Sequence, residues 1–406
     1  MRSSGSSRAP LPKLRTILGS QTPLHPAALA LAGLLSLAVA VGIGRFAYTP
    51  ILPYMTAGLA LGKSEVGLIA SANYAGYLLG ALAAALRGLP GNPRGWLLGA
   101  LAASGLSTCA MALTTDLMVF LLLRFLGGAA GALVMVFASS LLMDRLAAAG
   151  RDGWADLIYA GVGTGIAISS LAVPASASGI EDWQSPWLFC GALSIALSVP
   201  VAVLLRAPLT PASVSVGSRV GQGEQGIRSL IVAYGLSGFG YVITATFVSD
   251  MMRIDPVLRP AEDLVWLCVG LAAAPSVVFW GWIGRRWSIP GAFAAACLVA
   301  AGGVAMSVLV DGVWPVLLAA GLLGGTFVGL TALGLVSVRR MSVGNPRRNL
   351  ALMTAAFGLG QMVGPTFAGV LYDSLGSYQV PSLLAAFALV AAAVLEGGLP
   401  RRQGTE

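Results

Sequence analysis

Twelve stretches of this chain are apolar over lengths near the ~20 residues a helix needs to cross a bilayer. They run approximately over 29–56, 65–87, 95–114, 117–142, 154–174, 187–206, 228–250, 262–282, 290–310, 313–338, 348–372 and 380–398. The consequence is an all-α integral membrane fold, because a helix satisfies its backbone polar groups without help from water. Composition agrees: 57% of the 406 residues are hydrophobic and 10% are charged, against ~25% charged in soluble domains. No single core of this size could hide so much apolar surface from water. A soluble enzyme, a disordered chain and a secreted disulfide scaffold are thereby excluded. Cys109, Cys190, Cys268 and Cys297 each lie inside an apolar run without CxxC spacing. They read as small core residues, with no metal site or disulfide. The net charge of +8 is spread in small groups between the runs and forms no stripe, so no nucleic-acid partner is implied.

Charge placement tests the span count. With the N-terminus in the cytoplasm and strict alternation, nineteen of the 24 basic residues fall in cytoplasmic segments. Three fall outside (Lys63, Arg253, Arg259), and Arg45 and Arg124 lie within helices. This is a strong positive-inside signal, and one missed helix would scramble it. Both termini are therefore expected in the cytoplasm. Residues 1–25 are rich in Arg, Ser and Pro and lack acids, so they read as a cytoplasmic arm, with a transit peptide as the lesser alternative. The first apolar run is too long for a signal-peptide core. Arg outnumbers Lys 22 to 2, a bias pointing to a G+C-rich bacterial genome and so to a bacterial inner membrane. Residues 207–227 (PLTPASVSVGSRVGQGEQG at their centre) read as a flexible linker. It divides a six-helix bundle at 26–206 from a second at 228–399, and 400–406 forms a second tail.

The halves echo each other. Gly42-Ile43-Gly44 answers Gly238-Phe239-Gly240 at an offset of 196. Leu126-Gly127-Gly128 answers Leu323-Gly324-Gly325, and Gly161-Val162-Gly163 answers Gly358-Leu359-Gly360, both at 197. Six helices per repeat keep both halves in one orientation, related by an axis along the membrane normal. Two such bundles on a slack linker can rock and open their seam to one side at a time. The pairs Gly161/Gly165 and Gly360/Gly364, the latter followed by Pro365, are expected to form close contacts between the bundles. Packing within one bundle is the alternative.

Several segments resemble the YbfB/YjiJ-type branch of the major facilitator superfamily. They are GIGRFAYTPILPYM (42–55), ASANYAGYLLGAL (70–82), YGLSGFGYVITATF (234–247), VGLAAAPS (269–276) and FGLGQMVGP (357–365). The resemblance implies a twelve-helix transporter working by alternating access. It says little about the solute. The chain departs from the superfamily between helices 2 and 3, where ALRGLPGNPRG carries Arg87 and Arg94 but no Asp, and GWIGRR (281–286) also lacks an acid. Val248-Ser249 stands where the branch commonly has Leu-Pro, so any role for the following Asp250 would be local to this chain.

Arg45 is the sharpest single feature. It lies about sixteen residues into the first helix, where a guanidinium costs ~2.5–3.5 kcal/mol unless it faces a cavity or a partner. It reads as the binder of an anionic group, or else as a packing residue bonded to backbone carbonyls. Tyr48 and Thr49 share its face, and Pro50 and Pro53 would loosen the outer end for gating. Arg124, followed by Gly127, Gly128 and Gly131, resembles the Arg-plus-glycine motif of helix 4 in many superfamily members; it reads equally as solute-binding or structural. Asn73, Tyr74 and Tyr77 on helix 2, a stripe of Tyr234, Ser237, Tyr241 and Thr244 on helix 7, and Gln361 on helix 11 complete the polar set. Polar stripes on apolar helices should line water or protein.

No phosphate-binding loop, cofactor motif or metal cluster is present in the sequence, and the only histidine, His25, precedes helix 1. No carboxylate lies near the centre of a span; Asp250 and Glu65, near outer ends, are the candidates for coupling. The reading is a secondary transporter, not an enzyme, for a small organic anion or zwitterion, with membrane lipid as its surroundings and no obligate protein partner. The alternatives are efflux of lipophilic compounds, or a non-transporting sensor on the same fold.

Overall fold

A computed structural model describes residues 25–85, 91–151, 154–206, 224–341 and 346–397. The two tails and most of the linker lie outside these residues. Among the described residues twelve helices are long and apolar enough to span a bilayer: α1 Pro26–Leu59, α2 Lys63–Ala84, α3 Pro93–Leu113, α4 Leu117–Met143, α5 Asp156–Ser176, α6 Gln184–Leu204, α7 Gly226–Ile254, α8 Arg259–Arg286, α9 Ile289–Leu309, α10 Val313–Val338, α11 Arg348–Leu375 and α12 Gln379–Gly397. Their starts follow ordinary capping rules. The Asn92 side chain accepts from the N–H of Arg94, Asp116 from Val119 and Ser288 from Gly291. Sharp stops use left-handed glycines, as at Gly376 (φ +68°) just past α11.

The helices form two pseudo-symmetric bundles. α2 packs on α4 as α8 packs on α10, and α3 packs on α4 and α6 as α9 packs on α10 and α12. The repeat extends to single contacts. Gly128 lies against the carbonyl of Asn73, and Gly324 lies against the carbonyl of Val269, each partner 196 residues on, so Gly128 and not Gly127 answers Gly324, one residue off the register read from the sequence. A methyl at either glycine would strike backbone, so the α2–α4 and α8–α10 crossings depend on them.

The bundles meet along α2–α11 and α5–α8, with α1 against α7. Here one expectation is corrected. Gly161 and Gly165 lie against Leu34 and Ala38 of α1, while Gly360 and Gly364 lie against Gly235 and Val242 of α7. Both pairs therefore tie helices within one bundle. The seam between bundles uses other glycines: Gly163 against Gly270 and Ala274, Gly67 against Pro365, and Gly369 against Lys63 and Ser64. Spacing identified the small residues, but adjacent faces of α5 point to different neighbours. Large apolar side chains such as Leu126, Phe387 and Val394 point outward, where lipid is the solvent.

Candidate functional site

The site begins with a break in α1. Residues Ala38–Ile43 form a π-helical stretch, turns follow through 44–47, and α-helix resumes at Tyr48. Pro50 explains part of this. It has no N–H, so the carbonyl of Phe46 accepts instead from Thr49, at 3.2 Å. The N–H of Thr49 is thereby diverted from the Arg45 carbonyl. Upstream, the amides of Gly44 and Phe46 reach back five residues, to Val39 and Val41.

Arg124 of α4 repairs the break. Its Nη1 donates to the carbonyl of Gly44 at 3.1 Å and its Nη2 to that of Arg45 at 3.0 Å. Its charge also sits 4.9 Å from the Tyr48 ring and 5.8 Å from the Trp187 ring. Asn73 supports it from α2, donating to the Arg124 carbonyl at 2.9 Å. The Tyr48 hydroxyl donates to Val66 at 2.8 Å. These three residues, candidates for the solute site with a structural role as the alternative, use their donors to hold α1, α2 and α4 together.

Arg45 differs. It is 7% exposed, and its side chain makes no hydrogen bond or ion pair among the described residues. Its Nε and Nη2 are buried without an acceptor. Its guanidinium carbon sits over the rings of Tyr74 and Tyr77, at 4.4 and 4.6 Å, and 5.2 Å from Phe46. Aromatic faces offset the buried charge without using its N–H donors.

The second half faces it. Tyr241 stands 196 residues after Arg45, at the equivalent place in the repeat. Its ring stacks on Phe327 and Phe357 at 5.3 and 5.9 Å. Its hydroxyl accepts from Gln361 Nε2, which leaves Gln361 Oε1 buried and unpartnered among the described residues. Thr244 Oγ1, three residues beyond Tyr241, is likewise buried and unpartnered. Phe46 joins the two sides, packing on Trp266 at 6.1 Å and on Phe327 at 5.6 Å. Nearby, Thr49 crosses the seam and donates to the Ala245 carbonyl at 2.7 Å. Of the helix 7 stripe, Tyr234 is spent on the Thr331 carbonyl of α10 and Ser237 on its own helix. An apolar groove of about 860 Å³ opens elsewhere, between α3 and α4, and is lined by Gly95, Gly99, Leu123 and Leu126. Its lining holds no charged group.

A second cluster ties the halves where α1 ends, here termed the far end. Lys63 Nζ pairs with Asp250 Oδ1 at 2.7 Å, and the Tyr378 hydroxyl donates to Asp250 Oδ2 at 2.7 Å. Asp373 of α11 accepts from the N–H groups of Lys63 and Ser64, at 3.1 and 2.9 Å, and so caps α2 from the other half. Glu65 accepts from the Gly62 amide at the same helix start. Within the C-terminal half, Arg253 pairs with Glu262 at 2.7 Å and lies over the Tyr54 ring of α1. Sequence reasoning singled out Asp250 and Glu65 but missed Lys63, Asp373 and Tyr378; two of these are charged, yet their partners lie 128 to 310 residues away. At the opposite end, Asp156 of α5 and Arg285 of α8 interact through their charges but form no ion pair among the described residues.

The paired bundles, the broken first helix and the buried cation at their seam are the anatomy of a membrane carrier. Comparison with known proteins agrees. The family described as "Uncharacterised MFS-type transporter YbfB" matches residues 37–397, and the chain belongs to that family of major facilitator transporters. No curated protein matches it by sequence. Among solved structures it is similar to a point mutant of the nucleoside transporter NupG, with a TM-score of 0.71, 15% identity and coverage of 91% of this chain and 99% of that one. It is also similar to a bacterial homolog of the human lysosomal transporter Spinster, inward-facing and occupied, with a TM-score of 0.71, 16% identity and coverage of 91% and 95%. At such identities the likeness concerns the fold.

Proposed function

We propose that this transporter carries a small organic anion, or a zwitterion held through its carboxylate, across a bacterial inner membrane by alternating access. One observation carries the reading: Arg45 keeps Nε and Nη2 buried at the seam with no acceptor among the described residues. An embedded guanidinium costs a few kcal/mol, and no acid among the described residues pairs with this one to offset that cost. Arg124 is the contrast, because its donors serve the backbone of α1. One arginine builds the site and the other faces the solute.

The count of basic residues between the spans supports placing the end where α1 begins in the cytoplasm. The far end then faces outward, and Lys63, Asp250, Tyr378 and Asp373 form its latch. Asp250 acts there as a gating carboxylate, and Glu65 serves the start of α2. Glycine contacts along α2–α11 and α5–α8 give surfaces smooth enough for rocking. Pro365 lies on one of them, against Gly67.

Thermal unfolding of the detergent-purified protein against organic acids, amino acids and neutral or cationic drugs tests the reading, since a ligand of the folded state raises stability by mass action. Acids should stabilise the wild type and lose their effect in Arg45→Ala. Equal stabilisation of Arg45→Ala, or stabilisation by drugs and by no acid, would overturn the anion site and favour efflux of lipophilic compounds.

A further inference from the structure

We infer that the solute is a monocarboxylate that also carries a hydrogen-bond donor, a hydroxyl or an ammonium, on an apolar body. This rests on the anion reading above and narrows it. The two unpartnered Arg45 nitrogens, Nε and Nη2, lie along one edge of the planar guanidinium. That edge presents two parallel N–H groups, the spacing of the two oxygens of a carboxylate. Tyr74 and Tyr77 take the π contacts, so a ligand oxygen meets the edge and not a face.

The opposite wall asks for the reverse polarity. Gln361 commits its NH₂ to the Tyr241 hydroxyl, and its buried Oε1 has no donor among the described residues. An amide oxygen accepts and cannot donate, so a second carboxylate would find repulsion there, whereas a hydroxyl or ammonium would find a partner. Thr244 Oγ1, also buried and unpartnered, is a hydroxyl on the same helix as Tyr241 that can accept from such a donor or turn its own O–H to one. Aromatic contacts link the two groups: Phe46, beneath the Arg45 charge, packs on Phe327 and Trp266, and Tyr241 stacks on Phe327 and Phe357. They suit an apolar body and give a charged one nothing to pair with.

A matched set of ligands separates the elements. Binding to the purified full-length protein is measured by calorimetry for 3-phenylpropionate, 3-phenyllactate, L-phenylalanine, benzylsuccinate and phenethylamine. The expected order has 3-phenyllactate or L-phenylalanine at least tenfold tighter than 3-phenylpropionate, with benzylsuccinate weaker than either and phenethylamine not binding. In Gln361→Met the advantage of the donor-bearing acids over 3-phenylpropionate should collapse to less than threefold. Should that variant not fold, the wild-type order alone decides the matter. Equal affinity for 3-phenylpropionate and 3-phenyllactate, with L-phenylalanine no tighter, overturns the donor requirement and leaves the anion site standing. Tightest binding of benzylsuccinate overturns the assigned polarity of Gln361. Binding of phenethylamine and of no acid overturns this inference together with the reading beneath it.

Discussion

Removing the Lys63 ammonium should open the far end of this protein. Lys63 and Asp250 meet at 2.7 Å, with side chains 16% and 3% exposed, so the carboxylate is the deeply buried partner. In Lys63→Met the Asp250 carboxylate keeps one neutral donor, the Tyr378 hydroxyl, and loses its counter-charge. Breaking a buried pair in this way costs roughly 3–5 kcal/mol. The cost falls on the state in which α2 of one half touches α7 of the other. Because Lys63 is partly exposed, the lower end applies, and about 3 kcal/mol is a shift of roughly a hundredfold in the closed-to-open ratio. Spin labels at Glu181 and Ser377, exposed positions of the two halves near this end, would read the change by pulsed dipolar spectroscopy. The wild type should give one short distance. Lys63→Met should add a longer population that becomes the major one, and the exchanged pair Lys63→Asp/Asp250→Lys should restore much of the short one. An unchanged distance distribution in Lys63→Met would refute the latch, because the pair would then hold only α2 and α7 locally.

Arg124→Lys should destabilise the protein by about 2–4 kcal/mol and lower its unfolding temperature in detergent, since one ammonium cannot match two bonds from a planar fork; no change would mean that the α1 break supports itself. Gly163→Leu should arrest solute counterflow in liposomes while leaving expression intact, because its side chain would meet Gly270 and Ala274 of the other half; full flux would show that α5 and α8 need not stay in contact. In the loop before α6, partial burial alone would raise the Asp182 carboxyl, but hydrogen bonds from Ser178 and Ser185 outweigh it and hold the group down at about 2. A depressed folded value stabilises above the unfolded value near 4 and is lost as pH falls toward 2. Asp182→Asn should therefore be the less stable protein at pH 6, with the gap closing between pH 4 and 2; a gap independent of pH would refute the assignment.

How much of this was legible in the sequence follows from the range of each interaction. The spans, the repeat and the fold class were readable because lipid acts on each segment separately, through its own hydropathy. Arg45 stood out for the same reason, as a charge where none is tolerated cheaply. The roles of Arg124, Tyr48 and Asn73 were not readable. They depend on carbonyls of α1 released by a local unwinding that Gly42, Gly44 and Pro50 permit but do not dictate. The contacts among Lys63, Asp250, Asp373 and Tyr378 were hidden because these residues share no local pattern. The glycines Gly161, Gly165, Gly360 and Gly364 were found as close-packing residues, yet spacing on one helix carries no information about which neighbour each face meets.

The repeat is broken where it matters most. A guanidinium in the first half answers to a phenol in the second, at the same register. A carboxylate held by Arg45, as proposed, would have no equal grip waiting across the pseudo-dyad, so it would lie only one way round. When the bundles tilt, such a passenger would stay moored to the leading half while the trailing half slides past its other end. Directional handling of the cargo would then be written into one non-equivalent pair of residues in an otherwise duplicated frame.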